Sequence, residues 1–578
     1  MTDRARLLAV ARGDEPADLV VRGATVFSVF TREWLDGDVA VAGGRFAGVG
    51  SYEGLETVDA EGRMLVPGFV DAHVHIESSM LTLERFAEVV LARGTTTIVA
   101  DPHELANVVG TQGVHWLLDA AAAVPLNVFV MAPSCVPASR FESPREALGV
   151  ADIEGILERD GALGVAEMMD FPAVIAGDAA ALQKVAAAGA RHVDGHAPGV
   201  SGHALNAYLA AGIGSDHEAT TYEEALEKRR KGAWVLIREA SNARNLEALL
   251  PLVLEHGPER CAFCTDDREA DVLLDEGHID GMCRAAVRAG LSIEDALVLA
   301  GHNGADCYRL PGIGAIAPGY LADFSLMADA GFRAEQVYKD GRLVAAEGEA
   351  VPIDAPALPD WLTDTVQMGP LSAADFAIPA SGAPVRVIEL VPDQLLTGSA
   401  TEVPRMADGL AVADPARDLA KIAVIERHHA TGRVGRGFVR GFGLREGAFA
   451  STVSHDAHNL IVVGVSDPDM EACARRLAEL GGGIVVVRNG AVLAELPLPV
   501  AGLMSDRPGA EVVAALGDLR RAARALGVGL RTPFMALSFL ALSVIPSLKI
   551  TDLGLVDVDR FELVPLETPS APFSAEPA

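Results

Sequence analysis

Histidine and carboxylate side chains recur where short apolar runs of this chain end. Imidazole and carboxylate groups can bind metal ions, and the candidates at these positions are His73, His75, Glu167, His196, His217 and Asp266. In an extended chain, residues i and i+2 point the same way, so both imidazoles of His73-Val-His75 can reach one ion. A lone His-x-His pair is weak evidence. Four histidines and two carboxylates, however, suffice for two first-row divalent ions with one carboxylate bridging them.

Eight apolar, β-branched runs alternate with helix-like stretches between residues 65 and 309 and must position these side chains. The runs are Leu65–His73, Thr95–Asp101, Leu126–Pro133, Leu163–Asp170, His192–Ala197, Ile213–Glu218, Ala233–Ser241 and Cys261–Asp267. This rhythm predicts an α/β fold with eight parallel strands, a (β/α)8 TIM-like barrel. An open doubly wound sheet is the alternative. Barrel active sites lie at the carboxyl ends of the strands, where the metal-type residues fall.

The segments outside the barrel predict two further parts. Strand and turn patterns in residues 1–66 and 312–350 predict a small β-domain formed from both flanks of the barrel, which itself spans 67–311. Residues 351–383 are rich in Pro, Ala and Asp and predict a linker or wrapping segment. An extra C-terminal α+β domain is expected over 384–566, followed by a disordered tail over 567–578.

The charge balance limits the classes of partner. The 578 residues contain 47 Lys and Arg against 80 Asp and Glu, a formal net charge of −33. This balance argues against nucleic acid and anionic membrane surfaces, and it suits a small neutral or cationic molecule. Six thinly spread cysteines do not suggest a disulfide framework. With no apolar signal-peptide core near Met1, we expect a cytoplasmic location.

Several motifs resemble a known family. His73-Val-His75 after Val66-Pro-Gly-Phe-Val-Asp-Ala resembles the start of the amidohydrolase superfamily. Longer stretches resemble the bacterial adenine deaminase family more specifically. They include His73–Met80, Asp101–Asn107, Ala166–Pro172, Gly195–Gly199, Ser215–Glu218, Ile237–Glu239, Ala243–Asn245, Cys264–Asp267, Ile425–His429, Ser454–Asn459 and Ala501–Asp506. The resemblance runs from the first strands to about Pro565.

The resemblance implies two divalent metal ions, with Mn(II) or Fe(II) usual and Zn(II) as the alternative. By matching motifs, Glu167 would bridge the two ions in the place where other superfamily members use a carboxylated lysine. The other ligands would divide into His73, His75 and Asp266 for one ion and His196 and His217 for the other.

The implied reaction is the deamination of adenine to hypoxanthine and ammonia by a metal-bound hydroxide, in purine salvage. Asp266 would take the proton of the hydroxide, and Glu77 is the candidate that protonates ring N1. Glu77 has an alternative interpretation as a carboxylate in the first turn of a helix, beside Ser78 and Ser79. A homodimer or higher homo-oligomer is common in this superfamily.

Other polar residues are candidates for substrate contact or for support of the ligands. They are His103, Glu104, Arg238, Glu239 and Asp267, for which an extra metal, a structural ion pair or loop bracing are the alternatives. Beyond the barrel, His428, His429, His455 and His458 could complete the substrate pocket, bind a further metal or seal an interface. Ordinary packing histidines remain equally compatible with the sequence.

Two other functions stay open at this point. The same barrel could act on another aminopurine or on an N-acyl amide, because pocket lining decides the substrate. Alternatively, the chain could be a metal-free assembly protein without catalytic activity. The complete ligand set argues against that second alternative, since a decayed site should show substituted ligands.

Overall fold

The computed structural model describes residues 2–391 and 394–568, which form two compact units. The first unit contains residues 2–102, 114–134 and 149–356, and the second contains 103–113, 135–148 and 357–568 apart from the gap. Segments 103–113 and 135–148 therefore belong to the second unit, although the sequence pattern places them within the barrel segment 67–311. Periodicity identifies an element but not the partner it packs against, which explains this difference.

Each of the eight predicted runs overlaps a strand of the first unit. In chain order, where β1–β5 precede them, these strands are β6 to β13: Phe69–Val74, Thr95–Ala100, Asn127–Ala132, Ala162–Met168, His192–Gly195, Ser215–Asp216, Trp234–Arg238 and Cys261–Cys264. Strands β6 to β10 form one parallel sheet in chain order, and β11 to β13 form a second.

Two sets of hydrogen bonds close these sheets into a TIM-like barrel. Between β10 and β11, the N–H of Gly214 donates to the carbonyl oxygen of Val193 at 2.9 Å. Between β13 and β6, the N–H of Asp266 donates to the oxygen of His73 at 3.0 Å, and the N–H of His75 donates to the oxygen of Asp266 at 3.3 Å. The second closure therefore uses the backbone of three predicted metal ligands.

The predicted run Leu65–His73 is divided between two sheets. Met64–Pro67 forms β5, which lies in a separate sheet, and Gly68 precedes β6. A Cβ atom at Gly68 would lie 2.0 Å from the hydroxyl oxygen of Thr96, so only glycine fits at this close approach. An unbroken apolar pattern conceals this change of sheet because both halves are buried.

Strands from both flanks of the barrel share one nine-stranded sheet. They are Ala17–Ser28, Glu33–Ala42, Arg45–Gly50, Gly54–Asp59 and Met64–Pro67 (β1–β5), then Phe324–Met327, Ala334–Lys339, Arg342–Ala346 and Glu349–Ala350 (β14–β17). The helices around this sheet and the barrel are Thr2–Ala11, Leu83–Leu91, Thr111–Ala121, Val150–Leu157, Phe171–Ala176, Ala179–Ala187, Gly202–Ala210, Tyr222–Arg230, Leu246–His256, Ala270–Asp275, Ile279–Arg288, Ile293–Leu297 and Asn303–Cys307.

The barrel strands bury both of their faces. Along β12, Leu236 belongs to the core inside the barrel with Val70, Val99 and Ala262. Its neighbours Val235 and Ile237 belong to a separate core with residues of the helix Leu246–His256. Because successive side chains of a strand point to opposite faces, this alternation marks the inner and outer layers of the barrel.

The second unit is built around an eight-stranded sheet. The strands of the whole unit, which also include two small sheets, are Ile378–Pro379, Val385–Leu390, Thr397–Glu402, Arg405–Ala407, Leu410–Val412, Ala420–Ile425, Val434–Arg440, Ala448–Ser451, Leu460–Gly464, Gly483–Arg488, Ala491–Pro497, Leu548–Thr551, Gly554–Asp557 and Glu562–Val564 (β18–β31). The order in the large sheet is β20-β19-β24-β23-β26-β25-β27-β28, and β18-β22-β21 and β29-β30-β31 form two small sheets. Its helices are His103–Val109, Asp360–Thr363, Asp467–Leu480, Gly509–Ala525 and Pro533–Ser538.

The start of the predicted disordered tail is ordered. Glu567 forms a β-bridge with Val385, and the N–H of Thr568 donates to the oxygen of Pro384 at 2.8 Å. The prediction of disorder from residue 567 is therefore wrong for these two residues, since pairing with a strand edge satisfies their backbone. The rest of the predicted tail, 569–578, lies outside the described residues.

Within residues 2–391 and 394–568, none of the helices has the length and apolar character needed to span a bilayer. The apolar stretch 535–548 instead holds the end of the helix Pro533–Ser538, a 3-10 turn at Phe539–Ala541 and the first residue of β29. Most of this stretch is buried in the second unit.

We expect Phe263→Ala to destabilise the protein by about 3–5 kcal/mol, because removing a fully buried ring of β13 leaves a cavity in the core. Leu55→Ala in β4 is the control, since Leu55 is 70% exposed and should change stability by less than about 0.5 kcal/mol. Urea unfolding followed by circular dichroism measures both variants. Equal midpoints for the two would contradict the described core.

Candidate metal centre

The barrel brings all six predicted ligands into one buried cluster. His73 is the penultimate residue of β6 and His75 directly follows that strand, while Glu167 lies in β9. His196 and His217 each follow the last residue of a strand, and Asp266 comes two residues after β13. All six are at most 5% exposed. Parallel strands of a barrel deliver their carboxyl ends to the same mouth, which is why residues so distant in sequence meet.

Three ligand atoms surround one nitrogen of His75. Its Nε2 lies 3.1 Å from Nε2 of His73, 3.3 Å from Oε1 of Glu167 and 3.0 Å from Oδ1 of Asp266. One proton on this nitrogen cannot satisfy all three neighbours. A cation placed among them would satisfy all four atoms, since ligand atoms that each lie about 2 Å from one ion are about 3 Å apart.

Glu167 connects the two groups of histidines. Its Oε1 faces the pair on β6, at 3.3 Å from His75 and 4.0 Å from His73. Its Oε2 faces the other pair, at 2.5 Å from Nδ1 of His196 and 3.3 Å from Nε2 of His217. A carboxylate whose two oxygens address two separate imidazole pairs has the arrangement expected of a bridging ligand.

The backbone at Asp266 adopts a conformation that is uncommon outside glycine. Its φ is +56°, in the left-handed region that aspartate tolerates better than most residues. The turn lets the Asp266 backbone pair with β6 while its Oδ1 faces His75. Such local strain is characteristic of functional sites held by their surroundings.

Mutual charge shifts the pKa values across the cluster. Burial raises the pKa of Glu167, but His196, His217 and His75 offset this and hold it well below its usual range. Burial lowers the pKa of His196, but Glu218 and Glu167 more than offset this and raise it to about 9. Burial also lowers the pKa of His75, but Asp266 and Glu167 more than offset this and raise it well above its usual value. Without metal, protons therefore occupy the places that divalent ions would take.

Glu218 belongs to this site and was missed in the sequence. It is buried, and its Oε1 lies 3.7 Å from Nδ1 of His196 and 3.6 Å from Nε2 of His217. Arg238 pairs with both oxygens of Glu218 and also donates to Oδ2 of Asp266 at 2.9 Å. The sequence feature that could have identified Glu218 is its position directly after His217, at the end of a predicted strand. Arg238 thus fixes two carboxylates at the cluster, which agrees with its candidacy as a supporting residue.

A second carboxylate lies beside the first histidine. Asp194 lies 3.8 Å from Nδ1 of His73 and 3.1 Å from Nε2 of His192. The Asp194 carboxylate also accepts hydrogen bonds from the hydroxyls of Tyr308 and Ser215, at 2.9 and 2.6 Å. Carboxylates on the far nitrogen of a ligating histidine fix the orientation and tautomer of the ring. No sequence motif marked Asp194, because its role depends on the arrangement of neighbouring strands.

The other candidates from the barrel have different surroundings. Glu77 is buried in the 3-10 turn Ile76–Ser79, two residues after His75. Asp267 is half-buried and accepts a hydrogen bond from the hydroxyl of Ser78 at 2.5 Å. Glu239 does not pair with Arg238; its Oε2 accepts from the N–H of Leu246, the first residue of a helix. Glu239 therefore supports a helix start rather than the ligand cluster.

A second polar cluster lies wholly within the second unit. Oε1 of Glu104 is 3.1 Å from Nδ1 of His455, and its Oε2 is 3.8 Å from Nε2 of His458. His103 lies nearby, with its Nε2 3.8 Å from Oδ1 of Asp456. The N–H of Ser454 donates to Nδ1 of His458, so the neutral ring carries its proton on Nε2, towards Glu104. Glu104, His455 and His458 lie close enough together to hold a metal ion, although in this tautomer His458 presents an N–H group rather than a lone pair towards Glu104.

The remaining predicted histidines do not join that cluster. Nε2 of His428 lies 2.7 Å from the oxygen of Ala457, and burial lowers the pKa of His428 to about 3. Nε2 of His429 lies 3.3 Å from the oxygen of Pro144, at an exposed position. Adjacent residues in the chain thus face different surroundings, and the two rings contact backbone oxygens.

The whole chain is similar to known proteins. Residues 64–344 match the amidohydrolase family, and residues 394–562 match the adenine deaminase C-terminal domain. A relative named adenine deaminase from Desulfatibacillum aliphaticivorans is 47% identical, covering 97% of this chain and 99% of the relative. Adenine deaminase 2 from Carboxydothermus hydrogenoformans is 45% identical with the same coverage, 97% and 99%. Adenine deaminase from Cereibacter sphaeroides is 47% identical, again covering 97% and 99%.

We expect metal-free protein to lose stability as the pH rises from about 6.5 through about 9, because folding raises the pKa of His196 from 6.5 to about 9. The ion pairs of a protonated His196 are fully present below the lower value and are lost above the higher one. Thermal unfolding of chelator-treated protein across this range measures the effect. His196→Gln should flatten the decline, whereas His203→Gln, at an exposed position, should not. A melting temperature that stays constant in the unsubstituted protein would contradict this electrostatic account.

Proposed function

The chain belongs to the adenine deaminase family of amidohydrolases, and on this premise we propose that its buried cluster hydrolyses adenine to hypoxanthine and ammonia. The observation that carries the proposal is Glu167, whose two oxygens address two pairs of histidines. This arrangement suits two divalent ions with a shared carboxylate ligand. The proposed ligands are His73, His75 and Asp266 for one ion, His196 and His217 for the other, and Glu167 for both.

The donor set fits such ions. It offers imidazole nitrogens and carboxylate oxygens and no thiolate, which suits Mn(II), Fe(II) or Zn(II). When bound, the ions would lower the pKa of water so that hydroxide is available near neutral pH. We propose Mn(II) or Fe(II) as the physiological metals, with Zn(II) as the alternative.

Asp266 is placed to accept the first proton of the attacking water. Arg238 holds its Oδ2 at 2.9 Å, which leaves Oδ1 facing the histidine pair. Burial raises the pKa of Asp266, but His75 and Arg238 offset this and keep the carboxylate ionised. A fixed and ionised carboxylate can serve as a general base without a preceding rearrangement.

Glu77 is proposed to protonate ring N1. It is 2% exposed and follows the ligand His75 by two residues, in a turn that keeps it close to the cluster. As the water oxygen bonds to C6, Glu77 gives a proton to N1. The hydroxyl proton on C6 then returns to Glu77, while Asp266 gives its proton to the amine. The C6–N bond breaks, so that water and adenine become hypoxanthine and ammonia.

Purine salvage, a cytoplasmic location and a homodimer or higher homo-oligomer stay predictions from the sequence. Cell fractionation and light scattering of the purified protein test the last two. A crystal soaked with hypoxanthine identifies the residues that contact the purine ring.

We expect metal-depleted protein to lose adenine turnover and to regain it on addition of Mn(II) or Fe(II). Release of ammonia and the ultraviolet change to hypoxanthine measure the reaction. His73→Ala should lose both metal and turnover, whereas His203→Ala, at an exposed position, should keep both. Protein that holds two ions without adenine turnover would redirect the assay to other aminopurines and N-acyl amides. Protein that binds no metal would favour the assembly function.

We also expect Glu77→Gln to retain two metal ions and to lower turnover by a factor of about 10²–10⁴, since an amide cannot transfer the proton to N1. Metal analysis of the same sample separates this effect from loss of the ligands. Full turnover by Glu77→Gln would exclude the proton-transfer role and leave the helix-turn interpretation.

A further inference from the structure

Lys228 is a fully buried cation that the proposed chemistry does not use. It lies in the helix Tyr222–Arg230, at 0% exposure. Its Nζ donates to Oδ2 of Asp216 at 2.7 Å, to Oε1 of Glu224 at 2.7 Å and to the carbonyl oxygen of Ala197 at 2.8 Å. These three acceptors use all the donor capacity of the ammonium group. A lysine so deeply buried is retained only with compensating partners.

Asp216, the partner of Lys228, holds the backbone beside two proposed metal ligands. Its Oδ1 accepts from the N–H of Ala197, the residue after His196, at 2.9 Å. Its Oδ2 accepts from the N–H of Glu218, the residue after His217, at 3.2 Å. Together with the bond from Lys228 to the Ala197 oxygen, this network fixes both polar backbone groups of Ala197. We name the Lys228 ammonium and the Asp216 carboxylate the Lys228–Asp216 clamp.

The clamp lies at the junction between the two barrel sheets, where few backbone hydrogen bonds join neighbouring strands. Strand β10 ends one of the two barrel sheets and β11, only two residues long, begins the other. Between these strands, the N–H of Gly214 donates to Val193, three residues before His196. The strand ladder thus stops short of the two histidines. Beyond the hydrogen bond from the Ser215 hydroxyl to Asp194, the clamp adds a connection directly beside the two histidines.

Glu224 extends the clamp to the loop after His196. Its Oε1 accepts from Lys228 and also from the N–H of Gly199, at 2.8 Å. Its Oε2 accepts from the N–H of Thr220 at 3.2 Å. One charged group therefore ties the loops that follow both strands to a single helix.

We infer that Lys228 and Asp216 are positioning residues that hold His196 and His217 in register for the second metal ion. The inference rests on the proposed function for the identity of these two ligands. Fixing the backbone on the far side of each histidine restricts where the two imidazoles can lie relative to Glu167. Loss of the ammonium should weaken the second ion and spare the ion held by His73, His75 and Asp266.

The test compares Lys228→Met with Lys231→Met. Lys231 directly follows this helix, where it pairs with Glu227 at 2.7 Å and donates to the oxygen of Gly202. Within the described part of the chain it forms neither a hydrogen bond nor an ion pair with Asp216. Metal-free protein is titrated with Mn(II), and the ions bound per chain are counted after gel filtration. Turnover of adenine is then measured against Mn(II) concentration.

We expect Lys228→Met to bind its first ion normally and its second about 10–100-fold more weakly, the usual effect of removing a residue that supports a ligand. Excess Mn(II) should restore turnover without a change in KM. Lys231→Met should match the unsubstituted protein. Because metal binding is measured without substrate, two bound ions in a protein without adenine turnover would overturn the proposed substrate and leave this comparison intact.

Unchanged affinity for both ions in folded Lys228→Met would overturn the inference and leave Lys228 a purely structural residue. If Lys228→Met fails to fold, the double variant Lys228→Met/Asp216→Asn removes both members of the buried ion pair. This double variant should show the same selective loss of the second ion. Equal weakening of both ions in it would also overturn the inference.

Discussion

The burial of many charged groups within a few ångströms is the constraint on which the first unit depends. Glu167 and Asp266 are ionised although water is excluded, because imidazoles and Arg238 surround them. Arg238 is itself buried and needs Glu218 and Asp266 as partners. Each compensating charge thus requires another, and the nearby Lys228–Asp216 pair meets the same requirement separately. A buried charge without a partner would cost several kcal/mol, so the whole network must form together.

Closing the barrel and assembling the site are one structural event. The hydrogen bonds that join the last strand to the first run between the backbones of His73, His75 and Asp266. The left-handed turn at Asp266 makes this pairing compatible with a side chain directed at His75. Any shift of register at this closure would therefore move three proposed ligands at once. At the other seam, between β10 and β11, the contacts of Asp216 and Lys228 with Ala197 add to the backbone hydrogen bond from Gly214 to Val193.

Both units bring histidine and glutamate side chains together, but the hydrogen-bond geometry of the two clusters differs. Around Glu167, several ligand atoms converge on single nitrogens in numbers that protons cannot satisfy. Around Glu104, the N–H of Ser454 donates to Nδ1 of His458, so the Nε2 of this ring carries a proton and faces Oε2 of Glu104 at 3.8 Å. Residue type and burial alone do not distinguish these situations, which differ in the direction of each lone pair and each N–H group.

The sequence by itself determined the barrel strands, the motif at His73 and His75, and the set of six ligand-type residues. These features are local, because a two-residue period and the end of an apolar run can be recognised from neighbouring residues in the sequence. Only the tertiary structure decided that Gly68 divides the first run, that Glu218 and Asp194 contact the ligand histidines, and that Lys228 is buried while Lys231, directly after the same helix, is not. Each of these depends on which elements become neighbours in space, and a charged residue has the same local pattern whether solvent or a buried carboxylate surrounds it.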